Sequence, residues 1–576
     1  MTATSTQPKI YLHLDASDTT LIHRAGILGL WMTLKQLEKR FPHPSQRLGK
    51  LSWELTPNSI SLNWEGQDEA VLDWILKEAF QIDERGLISL TGLNPQSMSL
   101  INRVHLQEVL SKTLLQYNKN LTSIASKYKG LGIKIERIAP YLFLKFLINF
   151  SLPWQFYLLL DVSANDANHS VSFKIDGVEL SLQYKQLASY VYQDFSKRLC
   201  DPKTHQWTEK YIPIVSWLYP GAIVRHEEIR EYSQCKEPPK YAFVLLFLPI
   251  ACHYLILSKE ISQQIKLREK RLTKYLLVIP DPINLEESAK IRWRLNRTKY
   301  KDLYVSSLGE AALSYYSKEI NHNFCFQRCR VILYGKLMQS SHLNSPIDIQ
   351  DFTITKRIFK KYKLTAHHLQ YNALSQVGYK FLIKVNLIRG MICDNLLKQE
   401  SIWKNLWSTL KYEDSYKEIR QQLELEGQGL FTMIKNIDEI TKAHNAFIEI
   451  IHEALKQIYA KIYEDDRGAG AASKKIAREN EQLKLKLLNC YKEETFREIM
   501  AKLLARANNL SSLNENRILV LPILTGKMDW KESRDITLFA LSSYPIQAKM
   551  SRELLVFFAF PLLVDEELYR LGFALL

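Results

Sequence analysis

Apolar and polar positions along this chain switch between the two-residue rhythm of strands and the wider spacing of helices. Lys9–Asp15 (KIYLHLD) alternates and is rich in β-formers, which predicts a strand. Leu21–Phe41 carries apolar residues at helical spacing. Leu51–Leu55 and Ser59–Trp64 flank Thr56-Pro57-Asn58, a turn signal, and predict a hairpin. Asp68–Gln81 reads as a helix and Gly86–Leu90 as a strand. The order β-α-β-β-α-β is that of a ferredoxin-like unit. It does not give function by itself, and the aromatic motif of an RNA recognition module is absent.

Helices and strands then mix up to about residue 360. Ala139–Asp161 is an apolar run expected in the core. Tyr241–Leu257 is another, with Pro249 at its centre. It is shorter than the roughly 20 apolar residues of a membrane span and predicts a core helix or a buried pair of strands. From Thr365 onward the pattern is helical, with an apolar stripe through Ile434, Ile437, Ile440, Phe447, Ile451, Leu455, Ile458 and Ile462. The expected fold class is α+β. A ferredoxin-like part covers 1–120, a mixed α/β basic domain 121–364, and a C-terminal helical bundle 365–576.

Charge sharpens this division. The 576 residues carry a formal charge of +16, with ordinary shares of charged (24%) and hydrophobic (46%) residues. Residues 433–576 hold 21 Lys+Arg against 20 Asp+Glu, whereas the first 432 hold 56 against 41. A basic body with a neutral tail predicts a polyanion partner for the body. Seven cysteines without regular spacing argue against a disulfide framework. The opening MTATSTQPK has no apolar core of a signal peptide, so a cytoplasmic protein without membrane contact is expected.

A search for catalytic chemistry returns little. No phosphate-loop motif, His-Asp doublet, His-Glu-x-x-His or Gly-x-Ser-x-Gly occurs. Gly468-Ala-Gly470 with Ser473-Lys474-Lys475 follows no strand and reads as a turn between helices. His322, Cys325 and Cys329 fall one short of a zinc set, so neither metal nor cofactor is expected. The positive signals are basic. Lys266, Arg268, Lys270, Arg271 and Lys274 form one cluster. Lys290, Arg292, Arg294 and Arg297 form a second, whose cations project together on a strand or a helix, with Tyr300 and Tyr304 near enough to stack on bases. Lys356, Arg357, Lys360 and Lys361 fall at i, i+1, i+4 and i+5, on one helix face.

Several blocks carry a family resemblance. They are Ile22–Leu34 (IHRAGILGLWMTL), Leu51–Pro57 (LSWELTP), Trp64-Glu65-Gly66, Trp217–Ala222 with Arg225-His226, Glu237-Pro238-Pro239, and Thr525-Gly526-Lys527-x-Asp529-Trp530-Lys531-x-x-Arg534-Asp535. Together they resemble the large subunit of type I CRISPR effector complexes (Cascade), in the MYXAN group placed near type I-B. The resemblance spans nearly the whole chain, and its motifs read as helix and turn framework. It implies a non-catalytic subunit that recognises the PAM beside the target, opens the duplex and stabilises the displaced strand. The implied partners are crRNA, target double-stranded DNA and its displaced strand, the other Cascade subunits, and a recruited helicase-nuclease or the targeting proteins of a Tn7-like transposon. Sequence would then be read by RNA–DNA pairing, the protein reading only shape and PAM.

PAM reading needs short polar side chains on a loop that enters a groove. Asn165, Asn168 and His169 are candidates, as are Asn94 with Gln96 and Arg225 with His226. Related complexes often contain a small subunit made by internal translation, and Met433 is a possible start for a 433–576 product. The rival reading is a nucleic-acid-processing enzyme with a divergent nuclease site, in which Asp161, Asp166 and Asp176 hold Mg²⁺.

Overall fold

The computed structural model describes residues 8–84, 87–106, 169–175, 178–184, 195–213, 236–258, 274–317, 326–336, 344–369, 373–377, 380–412, 423, 426–427, 429–433, 442–465, 469–507, 510–524 and 529–544. They fall into two compact units. One takes the described residues up to Ser258, those between 274 and Lys356, and those from 373 to Val385; the other takes those from Arg357 to 369 and from Asn386 onward. The first is mixed α/β and the second mainly helical, an α+β class.

The first unit opens with strand β1 (Ile10–His13), helix α1 (Leu21–Arg40), strands β2 (Ser52–Leu55) and β3 (Ser59–Asn63), and helix α2 (Asp68–Ala79). All lie where the hydrophobic pattern puts them. The three strands form an antiparallel sheet ordered β1-β3-β2. The strand expected next to β1 does something else. Asp83 exchanges bonds with Leu87, its N–H donating to the Leu87 carbonyl and its carboxylate accepting the Leu87 N–H. The chain is thereby folded back, and β5 (Ile88–Leu90) pairs with β4 (Phe80–Ile82) as a separate hairpin. The element order is ferredoxin-like as far as α2, but the sheet is not the four-stranded one expected.

Helix α1 is the axis of this unit. Thr20 caps it by accepting the His23 N–H, while His23 Nδ1 accepts the Thr20 N–H. Most of its 20 residues are buried. It packs on helices α3 (Pro239–Leu245) and α4 (Leu248–Ala251), which with strand β8 (His253–Leu257) make up the apolar run Tyr241–Leu257. Gly26 and Gly29 set the distance. A Cβ at Gly26 would lie 2.6 Å from the Val244 carbonyl oxygen, and one at Gly29 only 2.0 Å from that of Phe247. The other residues of the Ile22–Leu34 block fix the helix at its sides. Arg24 makes a bidentate pair with Asp281 at 2.6 and 3.0 Å. His23 stacks on Tyr241 and brings its Nε2 to 3.4 Å from Glu237. Trp31 Nε1 donates to the Thr56 carbonyl at 3.1 Å.

Behind α1 stands a five-stranded sheet. Its order is β10 (Tyr304–Val305), β8, β9 (Lys274–Asp281), β11 (Phe326–Lys336) and β12 (Asn344–Thr355), antiparallel except where β10 joins β8. Helices α5 (Leu285–Leu295) and α6 (Leu308–Tyr316) connect its strands. The unit also holds the hairpins β6 (His169–Ile175) with β7 (Val178–Tyr184) and β13 (Ala373–Val377) with β14 (Lys380–Lys384).

The second unit takes α7 (Lys356–His368) from Arg357 onward. Then come α8 (Leu387–Leu397), α9 (Leu406–Tyr412), α10 (Lys442–Asp465), α11 (Ala469–Leu488), α12 (Glu493–Arg506), α13 (Ser511–Leu524) and α14 (Trp530–Ser543). The apolar stripe of α10 is buried at Phe447, Ile451, Leu455 and Ile458, against α13 and α14. The C-terminal sequence block is framework here. Asp529 caps α14. The Arg534 guanidinium lies 3.9 Å from the Trp407 ring and 5.1 Å from that of Trp530, and donates to the Cys490 carbonyl. Asp535 accepts the Trp407 N–H.

The close approach at α1 gives a direct test. Gly29→Ala is expected to destabilise the protein by about 3 kcal/mol, as backbone must move rather than a flexible side chain. Chemical denaturation checks this. An unchanged midpoint would mean that α1 and α4 are not in contact.

Candidate nucleic-acid interface

The loop carrying Asn94 and Gln96 is built by its neighbours. Thr91–Leu93 and Pro95–Ser97 are two short helical turns joined at Asn94, whose φ of 51° lies in the left-handed region that Asn tolerates. Gly92 lets the first turn sit on α1, since a Cβ there would lie 2.6 Å from Thr33 Oγ1. Helix α5 then holds the turn by its carbonyls. Trp293 Nε1 donates to Gly92 O at 2.7 Å, and Asn296 Nδ2 donates to Leu93 O. Asn296 is itself oriented by Arg292, whose Nη1 donates to its Oδ1 at 3.0 Å. Asn102 reaches back to the carbonyls of Asn296 and Thr298. A rigid support thus ends in a half-buried Asn94 and an exposed Gln96. Arg297 and Lys299, in the turn that leaves α5, are exposed as well.

This support corrects the reading of the 290–297 cluster. Asn284 caps α5, with Glu286 and Glu287 in its first turn, so the segment is a helix. In that phase Leu285, Ser288, Ala289, Arg292, Leu295 and Asn296 share the buried side. Arg292 is therefore 3% exposed, and its Nε donates to the carbonyls of Ile250 and Cys252. It is not a cation available to phosphate. Lys290 bridges Glu286 and Glu287. Arg294 is half-buried, which leaves Arg297 as the exposed cation of the four. Tyr300 and Tyr304 bond to each other through their hydroxyls and meet edge to face at 5.5 Å. Beside Arg292 lies a cavity of about 30 Å³ lined by Asn102, His105, His253 and Asn296 among others, room for one water. Burial and the Arg292 charge hold the His253 imidazole well below its usual pKa.

Helix α7 presents the basic face that the spacing predicts. Ile358, Phe359, Tyr362 and Thr365 are buried. Lys356, Arg357, Lys360 and Lys363 are exposed and Lys361 half-exposed, and no acidic residue interrupts the helix. Its far end is tied down, because Arg389 Nη1 donates to Leu369 O at 3.1 Å.

The remaining candidates are not brought together by the described structure. Asn165, Asn168, Arg225, His226, Lys266, Arg268, Lys270 and Arg271 lie outside the described residues, as do Asp161, Asp166, Asp176, His322 and Cys325. His169 opens β6 and Lys274 opens β9. Cys329 is buried within β11. Among the described residues, no group of three or more His, Cys, Asp or Glu side chains is placed to hold a metal. No described helix is long and apolar enough to cross a membrane.

Comparison with known proteins adds two domain similarities and a relative. The model of the DevT N-terminal domain matches residues 11–138 and 161–246, and that of the DevT C-terminal domain matches 435–555. The CRISPR-associated protein Cas8a1/Csx13 of Myxococcus xanthus (strain DK1622) is 22% identical over 574 residues, covering 92% of this chain and 88% of that protein. The chain is similar, nearly end to end, to a CRISPR-associated protein. The Asn94–Gln96 loop lies inside the DevT N-terminal match, whereas α5 and α7 lie between the two matched stretches.

Two carboxyls of the second unit are buried: Glu426, which the sequence does not single out, and Asp535 of the C-terminal block. Burial pushes Glu426 up to about 7 and Asp535 up to about 6. Each holds its proton more tightly folded than unfolded. Stability is therefore full below about pH 4 and falls as pH rises through the window up to about 7. Glu426→Gln is expected to remove roughly 3 kcal/mol of that decline. Melting curves from pH 4 to 8 check this; parallel curves for the variant and the parent would show that Glu426 is not held protonated.

Proposed function

We propose that this chain is the non-catalytic large subunit of a type I-B-like CRISPR effector complex. In this reading it recognises the PAM, helps open the duplex and stabilises the displaced strand, while a separately recruited effector acts on the DNA. One observation carries the reading: the similarity to Cas8a1/Csx13 runs through both units rather than through one shared domain. Partners follow from the assembly: crRNA, target duplex, the displaced strand, the other Cascade subunits, and either a helicase-nuclease or transposon-targeting proteins.

The division of labour is drawn from the surface. Phosphate contacts position a protein on nucleic acid, while base edges specify sequence. Helix α7 has no acidic residue of its own and shows Lys356, Arg357, Lys360 and Lys363 at the surface, as phosphate tracking requires. The exposed Gln96, on a turn that Trp293 and Asn296 hold by its carbonyls, suits a base edge. A separate 433–576 product belongs to the same proposal. It would lack Trp403 and Trp407, which pack on Phe539 and Arg534, so such a subunit would need another surface in their place.

Charge reversal at Lys356, Arg357, Lys360 and Lys361 is expected to weaken target-DNA binding and lower the slope of log K against log salt by about three to four. PAM preference should stay as it was. An unchanged slope would remove α7 as the phosphate track. Conversely, Asn94→Ala with Gln96→Ala is expected to change the ranking of PAM sequences in a binding assay while leaving the salt slope alone. An identical ranking would exclude that loop.

A further inference from the structure

We propose that Glu426 is a positioning residue for the basic helix α7, acting through Asn386 and Arg389. The inference rests on the reading of α7 as a phosphate-binding face. Its basis is a chain of hydrogen bonds, buried at Asn386–Glu426 and part-buried beyond, that ends just past the last turn of that helix. The Leu369 N–H donates to Thr365 O at 2.8 Å, so the chain is still helical there. The Leu369 carbonyl accepts Nη1 of Arg389 at 3.1 Å. The Arg389 N–H in turn donates to Asn386 Oδ1 at 2.9 Å, and Asn386 Nδ2 donates to Glu426 at 2.5 Å. Asn386 is 1% exposed and Glu426 8% exposed. Buried amide and guanidinium groups require their acceptors.

The same segment holds α7 from a second side. Three residues after Glu426, a Cβ at Gly429 would lie 2.4 Å from the His368 carbonyl oxygen. Gly427 makes a similar approach to Ser542 O, at 3.0 Å. Gly427 and Gly429 therefore lie close against the ends of α14 and α7 respectively. A face that grips phosphates must keep its cations at fixed spacing, or binding bears the entropy of ordering them. Glu426 supplies that order from beneath, without touching nucleic acid. Arg389 is the charged group that faces its carboxylate.

The test uses the full chain and a labelled DNA duplex. Glu426→Ala and Gly429→Ala should each lower the salt slope of binding by about two to three, roughly 0.9 per lost phosphate contact. Glu426→Gln keeps an acceptor for Asn386 and should restore the parent slope. An unchanged slope in folded Glu426→Ala, or an equal loss in Glu426→Gln, overturns the proposal. If Glu426→Ala does not stay folded, Gly429→Ala judged against Glu426→Gln decides in the same way. If reversing the α7 cations leaves the slope unaltered, the phosphate reading is what fails. Amide hydrogen exchange over 356–369 then tests positioning alone: faster exchange in Glu426→Ala than in Glu426→Gln supports it, and equal exchange overturns it.

Discussion

No side chain larger than a hydrogen atom fits on α1 at Gly26 or Gly29, and much of the first unit follows from that contact. With two glycines facing Val244 and Phe247, the helix comes right against the backbone carbonyls of both residues. The run Tyr241–Leu257 is thereby buried at once on α1 and in the five-stranded sheet. One turn beyond Gly29, Thr33 supports Gly92 and so the start of the loop that ends in Gln96. Trp31 stands 6.3 Å from Trp293 and so links α1 to α5. The path from the glycine contact to the candidate reading loop is thus short and made of packed backbone, which suits a surface that must present polar groups without moving.

The two units use arginine in the same way. Arg292 in the first and Arg534 in the second are buried and give N–H groups to backbone carbonyls, and Arg534 also has the Asp535 carboxylate 4.0 Å from its Nε. Arg47 repeats the pattern, bonding three carbonyls and lying 3.6 Å from the Trp53 ring. A count of basic residues therefore overstates the cationic surface. The face that remains is narrower and better defined, with α7 as its clearest described element.

Much of the fold is legible in the sequence, because local pattern and burial agree there. The ends of β1, α1, the β2–β3 hairpin and α2 lie within about two residues of the periodicity. The core role of Tyr241–Leu257 and the basic face of α7 were equally plain. The pairing of the last short strand was not, since the Asp83–Leu87 bonds that turn it back are a side-chain effect with no periodic signal. The 290–297 cluster reads as charge on either a strand or a helix, whereas Asn284 and the two glutamates behind it make a helix whose inner face includes Arg292. Glu426 could not be recognised from sequence at all. Its partners stand 40 and 37 positions away, brought together only by tertiary packing.

The central claim is that this chain holds nucleic acid with a fixed basic face and leaves the chemistry to other proteins. Photo-crosslinking tests it most directly. The purified chain is bound to a DNA duplex carrying photoreactive bases beside and within the opened stretch, and the crosslinked peptides are identified by mass spectrometry. The account predicts adducts on the 94–97 loop and on α7 near Lys356–Lys363, with the DNA intact. Tight binding with adducts confined to other surfaces, or strand cleavage by the chain alone, would contradict it.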